Sequence, residues 1–390
     1  MIARRLLFTA TTTHRVFTRF ARFIVILLVA LALRTVVLPS TVLAQDPSST
    51  APSPAVILIE RPYAVSEFAL DDANGQQMLN RALLAYTQRP TPAEAWLALG
   101  ITPKDVVGIK ISSGNGTALT ATKRPLVSAI IQGLVSAGVP ASNIIIWDRN
   151  PKHMRLAGYV PDGNKNSVNY RSVFGTGYTR EAPYMFEVPG TLVPGDADFR
   201  GAPVNLMEEA MKVGEPDGGR VERSGSQQIS NKSYFARLVT TTCTKIINIP
   251  ALSDSPNYGI NGCMATLALG SVDNYRRFGG GESQWGTPAI AEILSKDVLR
   301  KKVVLHILDA TVAQYAGGPD FNPRNTAPFG AIYLGRDPVA IDTLALERAE
   351  QQRKEHKIVP IDKAGSHVKA GEMYNLGTAD LKKIKVYKID

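Results

Sequence analysis

Four side chains able to do acid–base or ligand chemistry lie in or directly after apolar runs that predict strands. Lys110 lies within VVGIKI, Asp148 follows NIIIW, Asn248 lies within KIINI and Asp309 follows VVLHIL. A lysine in an apolar strand must pair or reach a cavity, where it can bind an anion or form a Schiff base. We take all four as candidate catalytic residues. For the lysine, an edge-strand position that reaches solvent is the alternative.

A second group of polar residues follows the same runs and is predicted to bind a ligand. The loop SSGNGT could cradle an anion with its backbone N–H groups, although it matches no phosphate-binding fingerprint. If the strands are parallel, these residues meet at one edge of the sheet, where α/β proteins bind ligands. The candidate ligand-binding residues are Ser112, Ser113, Asn115, Thr117, Arg149, Asp254, Arg336 and Asp337.

The carboxylates leave the presence of a metal open. Asp148, Asp309, Asp337 and Asp342 are oxygen ligands of the kind that hard cations prefer. Asp337 precedes Pro338, which favours a helix N-cap with proline at the first helical position. No histidines stand at metal-ligand spacing. The sequence therefore predicts a small-molecule or metal ligand without deciding between them.

The two cysteines limit the cofactors that this chain can hold. Cys243 and Cys263 are too few to ligate an ordinary iron–sulfur cluster, so none is expected. A disulfide between them and a pair of buried free thiols are both compatible with the sequence. His306, within a predicted buried strand, is interpreted as a core histidine.

The elements that must position these residues predict an α/β fold. An amphipathic helix at 125–137 lies between strands at 106–111 and 143–147, which predicts a right-handed parallel crossover. Buried strands are also expected at 245–249, 303–308 and 331–335. We predict a mainly parallel, Rossmann-like sheet with helices on both faces. Residues 151–235, rich in Gly, Pro, Asn and Tyr, are predicted to form a long irregular insertion or lid.

Residues 1–44 predict an export signal. They contain six Arg, no Lys and no acidic residue, an apolar run at 23–33, and small residues before Gln45 that are typical of signal cleavage. The apolar run is shorter than the roughly 20 residues of a membrane span, which makes an uncleaved anchor the weaker alternative. The pair Arg4-Arg5 resembles a twin-arginine signal, so both export routes stay open. A Pro/Ser-rich linker at 45–55 then precedes the domain at 56–390.

The charge of the mature chain argues against nucleic-acid binding. The formal charge is +10, but without residues 1–44 it falls to +4, with 38 basic and 34 acidic residues. No basic block interleaved with aromatic residues remains. We expect a periplasmic or extracellular protein whose partners are the export machinery and a small ligand.

Several segments together resemble the domain of unknown function family 362 (DUF362). They are VVGIKI, NIIIWDR, KIINIPAL, GINGCMATLALGSVDN, VVLHILDA with GGP, GRDPVAID and MYNLGTADLKKIKV. The family is largely uncharacterised, and iron–sulfur modules in some members imply redox chemistry and a redox partner. The resemblance matches at Lys110, Asp148, Asn248, Asp309 and Asp337.

The chain departs from the family pattern after the KIINIP segment. The resemblance implies a Lys-x-His or Asp-His element and then a Lys-Asn pair, where this chain has Ser253-Asp254-Ser255 and Ala265-Thr266. A cationic cluster is thus replaced by small neutral residues. Two functions follow as hypotheses: an enzyme-like protein with its site at the strand ends, associated with redox chemistry, or a non-catalytic ligand-binding protein.

Overall fold

The computed structural model describes most of the chain after the predicted signal and linker. The described residues are 54–161, 163–164, 166–179, 185–187, 193–194, 229–230, 232–273, 275–278, 286–361 and 366–389. The predicted signal at 1–44 and nearly all of the linker at 45–55 lie outside them. Within them, no helix is both long and apolar enough to cross a membrane.

The strands coincide with short apolar or β-branched runs, as expected for buried sheet segments. In chain order they are β1 Ala55–Glu60, β2 Val65–Ser66, β3 Ala69–Leu70, β4 Val107–Ile111, β5 Ile144–Asp148, β6 Asn169–Ser172, β7 Met185–Glu187, β8 Val193–Pro194, β9 Ile229–Ser230, β10 Lys232–Tyr234, β11 Lys245–Ile249, β12 Ala251–Ser255, β13 Gly259–Asn261, β14 Val303–Gln314, β15 Thr326–Ala327, β16 Ala331–Gly335 and β17 Lys385–Ile389.

Several of the ten helices in the described residues begin where capping residues or prolines predict them. Thr91 caps the second helix and Asp337 the ninth, each through its side chain, and both helices have proline in the first turn. In chain order they are α1 Asp72–Thr87, α2 Pro92–Ala98, α3 Arg124–Ser136, α4 Pro151–Leu156, α5 Val173–Thr176, α6 Cys263–Gly270, α7 Gly286–Ser295, α8 Asp297–Arg300, α9 Pro338–Glu355 and α10 His367–Met373.

One large mixed sheet of eleven strands organises the described residues. Its main order is β17-β1-β16-β14-β11-β4-β5-β6, with β12, β13 and β15 attached beside β14. The strands from β14 through β11, β4 and β5 to β6 at the edge are parallel to one another. The predicted α/β class with a mainly parallel sheet is confirmed.

The sheet reverses its winding direction between β4 and β11. From β4 the chain passes through α3 to β5 on one side, whereas from β11 it passes through α6 to α8 and reaches β14 on the other side. Right-handed crossovers in opposite directions place their helices on opposite faces. Accordingly α1, α2 and α3 pack together in one layer, and α6, α7, α9 and α10 pack in the other. The carboxyl ends of β4 and β11 form a topological switch point, where open α/β sheets bind ligands.

Two expectations need correction. β16 is antiparallel to β14, so the groups that follow it lie at the opposite edge of the sheet from those that follow β14. β14 runs for twelve residues, so Asp309 lies inside a strand instead of after one. Within the predicted insertion at 151–235, β6 pairs with β5 in the large sheet. Hydrophobic periodicity fixes neither the direction of a strand nor its partner.

Candidate functional site

Three polar side chains lie side by side on one face of the central sheet. Asn248 of β11 is paired with Lys110 of β4 on one side and with His306 of β14 on the other. Residues opposite one another in a sheet point to the same face. Each residue is fourth in its strand segment, VGIK, KIIN and VVLH. We call Lys110, Asn248 and His306 the polar row.

Lys110 is buried and bound to a carboxylate. Its Nζ donates to Asp148 Oδ1 at 2.7 Å and to the carbonyl of Ile111 at 2.6 Å. The second carboxylate oxygen accepts from Ser113 N at 2.8 Å and from Ser113 Oγ at 2.5 Å. Burial raises the pKa of Asp148, but the lysine and the serine bonds outweigh it and hold the pKa below its ordinary value. Asp148 is therefore ionised at neutral pH in the folded protein.

The ammonium group fits closely under α6. Lys110 is 1% exposed, and a Cβ at Gly270 would come within 2.6 Å of Lys110 Cε. The ammonium also lies 5.5 Å from the ring of Trp147. Glycine at the end of α6 is what allows the helix to approach this lysine. A lysine that reaches solvent from an edge strand, the alternative interpretation, is wrong because β4 is a central strand.

Asn248 leaves one polar atom without a hydrogen bond. Its Nδ2 donates to the carbonyl of Cys263 at 2.8 Å and lies 3.0 Å from His306 Nδ1, while its Oδ1 is buried and has no partner among the described residues. A rotated amide would place Oδ1 against the carbonyl of Cys263, so the amide orientation is fixed. A buried carbonyl oxygen without a donor points to a bound molecule or water.

Asp309, the fourth candidate catalytic residue, lies on the other face of the sheet. One of its oxygens accepts from the backbone N–H of Lys123 at 2.7 Å, and the other accepts from Thr311 N and Oγ1. Lys123 is the residue before α3 and makes no side-chain cap of its own. Asp309 thus anchors the start of α3 and does not join the polar row. Burial raises the pKa of Asp309.

The SSGNGT loop is not open for an anion at most of its amides. The N–H of Ser112 donates to Thr122 Oγ1, and the N–H of Ser113 donates to the carboxylate of Asp148. The N–H groups of Gly116 and Thr117 donate to the carbonyls of Ser113 and Gly114. Ser112 and Thr117 are partly exposed; the side chain of Asn115 is outside the described set. The hydrogen-bond pattern therefore does not support the anion cradle.

Arg149 and Asp254 hold neighbouring segments in place. Arg149 donates to the carbonyls of Leu269, in the last turn of α6, and of Val272, just after it, and lies 3.7 Å from the centroid of the Tyr275 ring. Asp254 accepts from Gln314 and from the N–H of Gly318, which fixes the loop after β14. Both side chains have structural partners and neither contacts the polar row through these bonds.

Arg336 and Asp337 lie at the amino-terminal edge of β14, away from the other candidates. Arg336 donates to the carbonyls of Val304 and Leu99. Asp337 accepts from the N–H groups of Ala340 and Thr378, so the predicted helix cap is confirmed. The antiparallel direction of β16 accounts for this separation from the carboxyl edge.

A buried pair that the sequence did not single out supports α6. Asp342 of α9 accepts from the N–H groups of Cys263 and Met264 at 2.6 and 2.9 Å. His367 of α10 contacts the same carboxylate through Nε2 at 2.9 Å. A Cβ at Gly262 would collide with the carboxylate. Only the sequence Gly262-Cys263, a helix start without its own capping side chain, hinted at a distant cap.

Neither the cysteines nor the carboxylates form a metal or redox centre in the described part of the chain. Cys243 and Cys263 are free and buried, and burial raises the pKa of the Cys243 thiol to about 12 and that of Cys263 well above its usual range. Of the residues described, no group of three or more His, Cys, Asp or Glu side chains is arranged to hold a metal ion. The four aspartates considered as cation ligands each have other partners.

The fold and the site define a doubly wound α/β protein with a buried polar row beside its switch point. Residues 201–347 match the family model described as "Domain of unknown function (DUF362)". The matched segment contains β11 to β16 and therefore Asn248 and His306, while Lys110 and Asp148 precede it. The resemblance inferred from the sequence is thereby confirmed over this segment.

Other comparisons add no functional information. No curated protein matches the chain. A crystal structure of a Thermotoga maritima protein, solved by a structural genomics consortium, is similar at 10% identity and a TM-score of 0.38. The match covers 75% of this chain and 61% of that one.

Proposed function

We propose that this chain is an exported protein that binds a small polar molecule between Lys110 and Asn248. The observation that carries the proposal is the unsatisfied Oδ1 of Asn248 beside a lysine whose hydrogen bonds use two of its three N–H groups. Among the described residues the third N–H has no hydrogen-bond acceptor. A molecule with both an acceptor and a donor satisfies the two side chains together.

Binding without turnover is the function that this geometry favours. Lys110 forms an ion pair with Asp148 and is covered by α6, so its environment does not activate it as a nucleophile. The departure from the family pattern supports the same conclusion. Ala265, where the resemblance implies a lysine, is fully buried in the core, so packing has replaced charge there.

Native mass spectrometry of the protein purified from its natural compartment tests this function. We expect the wild type to carry a bound small molecule that is lost in Lys110→Met and in Asn248→Leu. Lys123→Met is the matched control, because Lys123 is a buried lysine on the other face of the sheet. Wild-type protein with no bound molecule, or Lys110→Met protein that still holds it, would contradict the proposal.

An enzyme-like function is the second candidate. It is favoured by the meeting of three of the four predicted catalytic residues, Lys110, Asp148 and Asn248, at one place. The molecule identified by mass spectrometry, supplied in excess, separates the two functions. A binding protein leaves it unchanged, whereas an enzyme converts many molecules per protein and loses this turnover in Lys110→Met.

A further inference from the structure

A cavity opens at the opposite edge of the sheet from the switch point. It has a volume of about 340 Å³, within the range of small-molecule sites. Its walls come from the amino-terminal ends of β11 and β14, from α6, α7 and α8, and from the start of α9. We call it the amino-edge cavity. Its lining residues include His306 of the polar row but neither Lys110 nor Asn248.

The cavity has a cationic rim, and leucines lie in the wall behind it. Lys245, Arg300, Lys301 and Arg336 line it, and no carboxylate is among its described lining residues. The buried interior is formed by leucines from several elements, including Leu267, Leu294, Leu299 and Leu376.

Carboxylates near the rim lie beside two of its lysines and one of its arginines. Asp297 pairs with Lys301 at 2.7 Å in an exposed ion pair. Asp105 lies close enough to Lys245 for the charge of the lysine to help lower the pKa of Asp105. Asp337, which follows Arg336, is buried, and its carboxylate accepts hydrogen bonds from a backbone N–H group of α9 and from that of Thr378. Exposed ion pairs of this kind contribute little and exchange readily with a ligand.

His306 supplies a directed donor in the wall. It is 6% exposed, lines the cavity, and has Asn248 as its hydrogen-bond partner. Because the Asn248 amide is the donor, His306 Nδ1 accepts and the ring proton is on Nε2. Burial lowers the pKa of His306 to about 4, which keeps the ring neutral. In the described part of the chain Nε2 has no partner, so its N–H is available to a ligand.

We infer that the amino-edge cavity binds an organic anion with an apolar body, such as a medium-chain carboxylate. The hydrocarbon part packs against the leucines, the anionic head lies at the rim of Lys245, Arg300, Lys301 and Arg336, and His306 donates to it from the wall. Inorganic anions lack the apolar part, and neutral alcohols lack the charge.

Titration calorimetry with sodium octanoate on the mature protein tests this inference. We expect saturable binding, and an at least tenfold weaker dissociation constant in the double variant Arg300→Gln/Lys301→Gln, whose positions are exposed. The matched control is Lys354→Gln/Lys357→Gln, which removes the same charge at the far end of α9, in a different groove. There we expect a change of less than twofold.

His306→Leu provides a second test of the wall donor, and we expect it to weaken octanoate binding as well, with folding checked by circular dichroism. If this variant does not fold, the rim variant decides alone. Absence of saturable binding, equal weakening by both double variants, or equal affinity for 1-octanol or inorganic phosphate would overturn the inference. The rim variants change no residue of the polar row, so their result does not depend on the Lys110 site, whereas His306→Leu also removes a hydrogen-bond partner of Asn248.

Discussion

Lys110 is the residue whose environment most constrains the function of this protein. It is a charged side chain in a central strand, and it is stable there because Asp148 and a backbone carbonyl compensate its charge. Its position in an apolar run made it recognisable in the sequence. Its partner was recognisable only as another strand-end residue, because pairing between β4 and β5 depends on the sheet register.

Replacing Lys110 with Met is expected to destabilise the protein by about 3–5 kcal/mol, because it leaves the carboxylate of Asp148 buried without its counter-ion. Urea denaturation at neutral pH measures this. The double variant Lys110→Met/Asp148→Asn should recover part of the loss, since no uncompensated charge remains. A single-variant cost below about 1 kcal/mol would show that the pair does not hold this region together.

His306 makes stability depend on pH in a defined direction. Burial lowers the pKa of His306 from 6.5 to about 4 in the folded state, so between these values the unfolded chain binds more protons. The contribution of His306 to stability is therefore complete above pH 6.5 and is lost as the pH falls towards 4, by up to about 3 kcal/mol.

The difference between wild type and His306→Gln isolates this effect. Burial also raises the pKa of Asp309, and that of Asp337 to about 7, and these carboxyls act in the opposite sense over the same range. Chemical denaturation of both proteins from pH 7 to pH 4 should show the wild type losing more stability than the variant. Parallel curves would contradict a buried neutral histidine.

Among the elements, α6 has the greatest effect on the site. It covers the polar row, its end approaches Lys110 at Gly270, and its start is held by Asp342 from α9 instead of by a neighbouring side chain. Capping by a residue 79 positions away in sequence leaves no local signal. The helices with local caps, such as the one after Asp337, were predictable for the opposite reason.

Asp342→Ala should cost about 2–4 kcal/mol, because it leaves two backbone N–H groups and His367 without their acceptor in the core. Asp72→Ala, in the exposed first turn of α1, is the matched control and should cost no more than about 1 kcal/mol. Thermal unfolding of the three proteins provides the comparison. Equal midpoints for the two variants would mean that Asp342 does not support α6.

At the scale of the whole molecule, the sequence predicts the class of the sheet but not which residues lie at each of its edges. Apolar runs and one amphipathic crossover predict a mainly parallel α/β sheet, and this is confirmed. The antiparallel direction of β16 moves Arg336 and Asp337 to the other edge, and the length of β14 moves Asp309 into its interior. The sequence could therefore place the site at the ends of β4 and β11. It could not predict which residues meet there, because one sequence does not specify how the strands pair or in which direction they run.

Export is a prediction about the whole chain that rests on residues 1–44. We expect the protein recovered outside the cytoplasm to begin at Gln45, because small residues precede it and an apolar run lies upstream. Intact-mass measurement and N-terminal sequencing of the native protein determine this. A native chain that still carries residues 1–44, or one found only in the cytoplasm, would contradict the predicted signal.

The most direct test of the central claim is a high-resolution crystal structure of the mature protein purified without added ligand. We predict density for a small molecule within hydrogen-bond distance of both Lys110 Nζ and Asn248 Oδ1. The result that would contradict the account is an empty position, a single water molecule there, or an Asn248 oxygen that accepts directly from the lysine.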